Sequence, residues 1–137
     1  MDTKLWFIGL TFSVVVGGIV TWGSLKILRW WMRLPPKPKT EGKNAPRGVP
    51  PFVTGAIERL FFSVLVAFGV EGFAAAMVGW LAIKLATNWN RDIWKKTPTA
   101  RLYGFSALVA GLISMLFAFL GGRIAKGELW SSLAMCI

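Results

Sequence analysis

The chain of 137 residues contains no histidine, one cysteine and only six carboxylates. A zinc cluster, a disulfide framework, a histidine-ligated haem and a Ser/His/Asp triad each need residues that are missing here. The lone thiol, Cys136, has no second cysteine with which to pair. We therefore predict a protein that is not an enzyme and that needs no cofactor and no metal ion.

Apolar residues, in contrast, make up 55% of the chain and fall mainly in three blocks, residues 5–25, 60–83 and 102–122. The first and third blocks have no charged residue, and the second has one, Glu71. At ~1.5 Å per residue each block is long enough to cross a hydrocarbon core of about 30 Å. Because lipid offers no partner for backbone amides, the blocks must be helices. The predicted fold is an all-α integral membrane protein with three transmembrane helices in a small bundle.

The segments outside the blocks define the expected organisation. Residues 1–34 are predicted to form the first transmembrane helix with an amphipathic basic extension, in which Lys26, Arg29 and Arg33 follow helical spacing. Residues 35–52 form a basic linker rich in proline, with six of the seven prolines between Pro35 and Pro51. Residues 53–137 are expected to be a two-helix membrane unit with a short basic loop and a C-terminal tail.

The net charge of +10 comes from bases that flank the apolar blocks. This distribution is typical of positive-inside retention and of attraction to anionic lipid, and it does not indicate nucleic acid. The expected partners are anionic headgroups and other membrane protein subunits, or further copies of the chain. The bases predicted to contact lipid or a partner are Lys26, Arg29, Arg33, Lys37, Lys39 and Arg59.

Orientation in a plasma or inner membrane depends on the number of crossings. Three straight spans put ten bases on one side and six on the other, which favours an N-out/C-in arrangement. An alternative is that Gly69 and Gly72, on either side of Glu71, break the second block into a re-entrant hairpin, which divides the bases thirteen to three. We favour the straight span, since a turn inside lipid would need shelter from neighbouring protein.

Small residues recur every four positions in each block, which places them along one side of a helix. Such stripes let membrane helices approach closely. The predicted packing residues are Gly9, Ser13 and Gly17, then Ala67, Ala75 and Gly79, and finally Ala110 and Ala118.

Glu71 falls on the same side as the second stripe, near the middle of its block. A charge at that depth is costly, so an acidic residue there is by default a candidate functional site. We expect a neutral carboxyl that hydrogen-bonds across helices, with Ser114, Ser63 and Ser106 as its candidate partners. The alternatives are a proton or cation path along Glu71 and an ion pair with a partner protein.

Two functions fit these patterns. The first is a small non-enzymatic accessory or scaffold subunit that binds other membrane proteins and anionic lipid. The second is a self-assembling pore or a proton- or cation-conducting protein, holin-like or channel-like, in which Glu71 lines the water path.

Overall fold

In a computed structural model, residues 2–35, 50–89, 99–128 and 131 are described, with only the backbone described at 88 and 89. All the regular structure in these ranges is helical. Helix α1 is Thr3–Trp31, α2 is Pro51–Ala67, α3 is Phe73–Trp89 and α4 is Ala100–Lys126. The all-helical prediction is thus confirmed. Two of the helices, α1 and α4, are long and apolar enough to cross a membrane, and a shorter apolar helix covers Phe73–Thr87.

Helix α1 is continuous but contains one π-helical turn, Phe12–Val16, between its two α-helical parts. The helix ends at Trp31, just before Pro35 and Pro36. The amides of Arg33 and Leu34 reach back to the carbonyls of Trp30 and Arg29, and Arg33 takes a positive φ of 49°. This is the Schellman arrangement that satisfies the last carbonyls of a helix. Proline at position 35 cannot continue the helix.

The second apolar block is not one straight helix, so the expected straight span is wrong. Helix α2 ends at Ala67, and the amides of Gly69 and Val70 bond to the carbonyls of Val66 and Leu65 in a second Schellman arrangement. Gly69 and Gly72 have φ of 66° and 79°, which residues with a Cβ rarely adopt. The block therefore forms a helical hairpin, and the described parts of residues 53–128 contain three helices where two were expected.

The four helices run alternately up and down. Arg59 lies against Ser114, Ser63 bonds to Ala118, and Val66 lies beside Gly122, so α2 runs parallel to α4. Helix α1 runs antiparallel to α4, since Gly9 lies beside Ala125 and Gly17 lies beside Phe117. Stacking of Phe73 on Phe119 and contact of Leu81 with Gly111 make α3 antiparallel to α4.

This order gives the bundle two different ends. The terminal end holds the start of α1, the turn at residues 68–72 and the end of α4, where Leu5 lies next to Gly127. The linker end holds the end of α1, the start of α2, the end of α3 and the start of α4. The buried side chain of Tyr103 donates a hydrogen bond there to the carbonyl of Pro35. The start of α1 and the end of α4 therefore lie at the same end of the bundle.

Helix α4 is the centre of the bundle, because it packs against each of the other three helices. Close approach is achieved with small residues. A Cβ built on Gly121 would lie 2.5 Å from Cβ of Ser13, and one on Gly122 would lie 2.5 Å from Cβ of Val66. Apolar side chains fill the remaining core, namely Phe62, Val66, Met77, Met115 and Ala118.

Replacement of Gly122 by alanine tests this packing. We expect Gly122→Ala to lower the free energy of unfolding by about 1–3 kcal/mol, because the added methyl overlaps Val66 and the carbonyl of Ser63. Gly79→Ala is the matched control, since nothing lies within 4 Å of a Cβ at that helical position. The control should be neutral or stabilising by up to ~1 kcal/mol through helix propensity. Denaturant titration in mixed micelles measures both, and equal effects would contradict the packing.

Candidate functional site

Glu71 does not lie on a packed face. It is exposed in the turn between α2 and α3, at the terminal end of the bundle. The break at Gly69 and Gly72 removes it from the stripe that contains Ala67, which is 4% exposed. The expectation of a carboxyl held between helices is therefore wrong, and the pore hypothesis loses the geometry on which it was built.

The break also separates the predicted packing residues. Gly9, Ser13 and Gly17 of α1, Ala67 of α2, and Ala110 and Ala118 of α4 are all buried between helices. Ala75 and Gly79 follow the turn and are exposed on α3. The five residues of the turn reset the helical phase, so a four-residue spacing counted across it no longer marks one face.

The three candidate serines are buried, but each has a partner other than Glu71. The Ser63 hydroxyl lies 2.7 Å from Oγ of Ser13 and 2.9 Å from the carbonyl oxygen of Ala118, which ties α2 to both α1 and α4. Ser106 donates to the carbonyl of Tyr103 one turn earlier. Ser114 accepts a hydrogen bond of 3.2 Å from Nη1 of Arg59.

Among the described residues, Arg59 is the most deeply buried charged group. Only 3% of it is exposed, although arginine keeps its positive charge in proteins. Two glycines leave room for the guanidinium. A Cβ on Gly18 would lie 3.2 Å from Nη2 of Arg59, and one on Gly55 would lie 3.3 Å from Nη1. The guanidinium thus occupies a cradle formed by α1, α2 and α4.

An ion pair next to Arg59 joins α2 to α3. Nζ of Lys84 lies 2.8 and 2.7 Å from the two carboxylate oxygens of Glu58, which is 8% exposed. Lys84 contacts both oxygens of Glu58, and no carboxylate among the described residues is in ion-pair contact with the Arg59 guanidinium.

These charged groups line a cavity of about 290 Å³ in the linker half of the bundle. Its polar wall includes Thr21, Arg29, Glu58, Arg59 and Lys84. Its apolar wall comes from all four helices and includes Trp22, Leu25, Phe52, Leu81, Leu85 and Ala107. With three cations and one carboxylate, the wall carries a formal charge of +2.

The sequence pattern predicted contact of Arg59 with lipid or a partner, and it did not predict its burial beside the Glu58–Lys84 ion pair. The missed signal is Pro51, which occupies the first turn of α2, where a proline costs no hydrogen bond. A helix that begins at Pro51 carries Glu58 and Arg59 into its third turn, and thus into the bundle. Of the other predicted contact bases, Lys26 and Arg33 are exposed and Arg29 is half-buried, while Lys37 and Lys39 lie outside the described residues.

No protein-family model matches the chain, and neither a curated protein nor a solved structure matches it. The arrangement around Arg59 must therefore be interpreted from its own chemistry.

Loss of Lys84 tests the ion pair. We expect Lys84→Met to lower the free energy of unfolding by about 1–3 kcal/mol, because the buried carboxylate of Glu58 is left unpaired. Addition of Glu58→Gln to that variant should recover most of the loss, since it removes the orphaned charge. Lys4→Met, at an exposed position, is the matched control and should change stability by less than ~0.5 kcal/mol. Additive losses in the double variant would show that the pair is not coupled.

Proposed function

We propose that the chain is a small non-enzymatic integral membrane protein that crosses the bilayer with four helices and acts as an accessory or scaffold subunit. Its basic face binds anionic lipid headgroups, and its apolar sides contact other membrane proteins. The observation that carries this proposal is that many large apolar side chains are exposed, whereas several serines and Arg59 are buried.

Beside the apolar core, several polar groups are buried, and many large apolar side chains are exposed. The largest side chains that are fully buried are Ser13, Ser63 and Ser106, and Arg59 is buried with them. Many large apolar side chains are exposed, among them Phe7, Ile19, Trp22, Ile57, Val78 and Leu116. In the most apolar stretches of α1 and α4, only 22% and 28% of residues are buried, whereas a core helix of a water-soluble protein would be mostly buried. Exposed apolar surface of this extent is typical of contact with lipid or protein.

The helix lengths agree with a bilayer. Helices α2 and α3 have 17 residues each, about 25 Å by helical rise, and the turn at 68–72 completes the crossing. Helix α1, with 29 residues, extends beyond the hydrocarbon core by its basic part, which includes Lys26 and Arg29. The bases there suit the headgroup layer.

The distribution of charge sets the proposed orientation. The terminal end has three bases, Lys4, Arg123 and Lys126, and three acids, Asp2, Glu71 and Glu128. Glu128 pairs with Arg123 at 2.7 Å and with Lys126 at 2.5 Å, and the hydrogen bond from Lys126 lowers the pKa of that carboxyl. Apart from Arg59 and Lys84, the other eleven bases lie in α1 toward the linker end or just after it, in α4 toward the linker end, or in the segments 36–49 and 90–98, which join helix ends located there. By the positive-inside rule the linker end faces the cytoplasm.

Association with other subunits is supported by α3. Its inner side packs through Met77 and Leu81, whereas Ala75, Val78 and Gly79 on the rest of the helix are exposed. Small exposed residues on a membrane helix allow close approach of a second helix.

Single-cysteine labelling in intact cells tests the topology. In a Cys136→Ser background, Lys43→Cys and Thr99→Cys should both be shielded from an impermeant maleimide, whereas Glu71→Cys should react. The reason is that the two linkers share the cytoplasmic side and the hairpin turn reaches the outer side. Lysed cells provide the control for reactivity. Opposite accessibility of positions 43 and 99, or an unreactive position 71 in both preparations, would contradict the proposal.

The same membranes allow a test of subunit contact. A photo-crosslinking amino acid at Gly79 should give products larger than the monomer, whereas one at Met115, in the core, should give only internal products. Identical products from both positions would contradict docking at α3.

A further inference from the structure

The cavity contains buried polar atoms whose hydrogen-bonding capacity is not used. Nε of Arg59, Nε of Arg29 and Oγ1 of Thr21 are inaccessible to solvent and have no hydrogen-bond partner within the described ranges 2–35, 50–89 and 99–128. All three residues line this one cavity. A buried donor without a partner is costly, and three at one site indicate a missing ligand.

The charges and donors of the cavity favour an anion as its ligand. Both unpartnered nitrogens belong to guanidinium groups, which donate hydrogen bonds and accept none. Glu58 is already held by Lys84 through both of its oxygens. The wall therefore keeps an excess of two positive charges in surroundings where a charge needs a partner of opposite sign. Guanidinium groups match the geometry of phosphate and carboxylate oxygens, and phosphate supplies more acceptors.

The other wall indicates what the anion is attached to. Trp22, Leu25, Phe52 and Leu85 line the same space as the two arginines. A volume of about 290 Å³ is too small for a whole phospholipid but accommodates a phosphate group with adjoining apolar atoms. The linker half of α1, which carries Arg29, is also the part that reaches the headgroup layer.

The geometry points to a phosphate-binding site in this cavity, with the oxyanion held by Arg59 and Arg29 and assisted by Thr21. The expected ligand is the phosphate of an anionic lipid whose first acyl atoms contact the apolar wall, and free phosphate is the other source of the same chemistry. This inference rests on the proposed membrane function, but it concerns one interior site and not the exposed basic linkers.

The test uses the full-length protein in an uncharged detergent with three probes: short-chain phosphatidylglycerol, short-chain phosphatidylcholine and inorganic phosphate. Thermal unfolding and native mass spectrometry report binding. Phosphatidylglycerol should raise the unfolding temperature and remain bound as a single copy. An equal shift with inorganic phosphate identifies a free oxyanion as the ligand, whereas a shift with the lipid alone identifies the headgroup.

Arginine variants locate the site. Arg59→Gln should raise the half-saturating concentration of the effective probe by about tenfold or more, because a charge-assisted hydrogen bond is lost. Arg29→Gln, at a half-buried position, keeps the proposal testable if the first variant does not fold. Arg101→Gln is the matched control, because it removes an exposed base of the linker end that does not line the cavity.

Retention of wild-type binding in both cavity variants, or equal loss in Arg101→Gln, would place the anion on the linkers and overturn the proposal. Absence of any shift with all three probes would also overturn it. These outcomes leave the labelling result untouched, so a failure here is distinct from a failure of the proposed function.

Discussion

The constraint on which the structure depends is a permanent positive charge held inside a bundle of apolar helices. Arg59 is 3% exposed and has one described hydrogen bond, to Ser114. Glycine at positions 18 and 55 leaves room for it, since a Cβ there would lie 3.2 and 3.3 Å from the guanidinium nitrogens. The neighbouring pair of Glu58 and Lys84 brings the third helix to the same level. Small residues thus allow close packing of the helices and also make room for the charged residues that line the cavity.

Many large apolar side chains of this bundle are exposed, and the apolar blocks that contain them are visible in the sequence. The apolar blocks predict helices long enough for a bilayer, and α1 and α4 have that character. The small residues of the first and third blocks mark faces that are buried, since no break interrupts their four-residue spacing. Pro35 and Pro36 correctly predict that α1 ends before them.

The turn in the second apolar block could not be predicted from hydropathy. Its apolar residues continue across Gly69 and Gly72, so hydropathy alone cannot distinguish one long helix from two helices and a turn. Two positive φ angles and two backbone hydrogen bonds decide the question, and both are local features that hydropathy does not report. Once the turn forms, Glu71 moves to an exposed end, while Pro51 starts a helix that carries Arg59 into the interior. The error at Glu71 and the wrong position predicted for Arg59 both follow from where α2 begins and ends. The position of Lys84 opposite Glu58 depends on tertiary packing between residues 26 positions apart, which no local spacing encodes.

We propose that the guanidinium of Arg59 lies inside the bundle, is shielded from water and is paired with an oxyanion. Solid-state NMR on the protein in anionic bilayers, with ¹⁵N-labelled arginine side chains and ³¹P in the lipid, measures this directly. The account predicts a side-chain nitrogen signal, absent in Arg59→Gln, that is dephased by nearby phosphorus and protected from exchange with water. An Arg59 signal that exchanges rapidly with water and shows no coupling to phosphorus would contradict it.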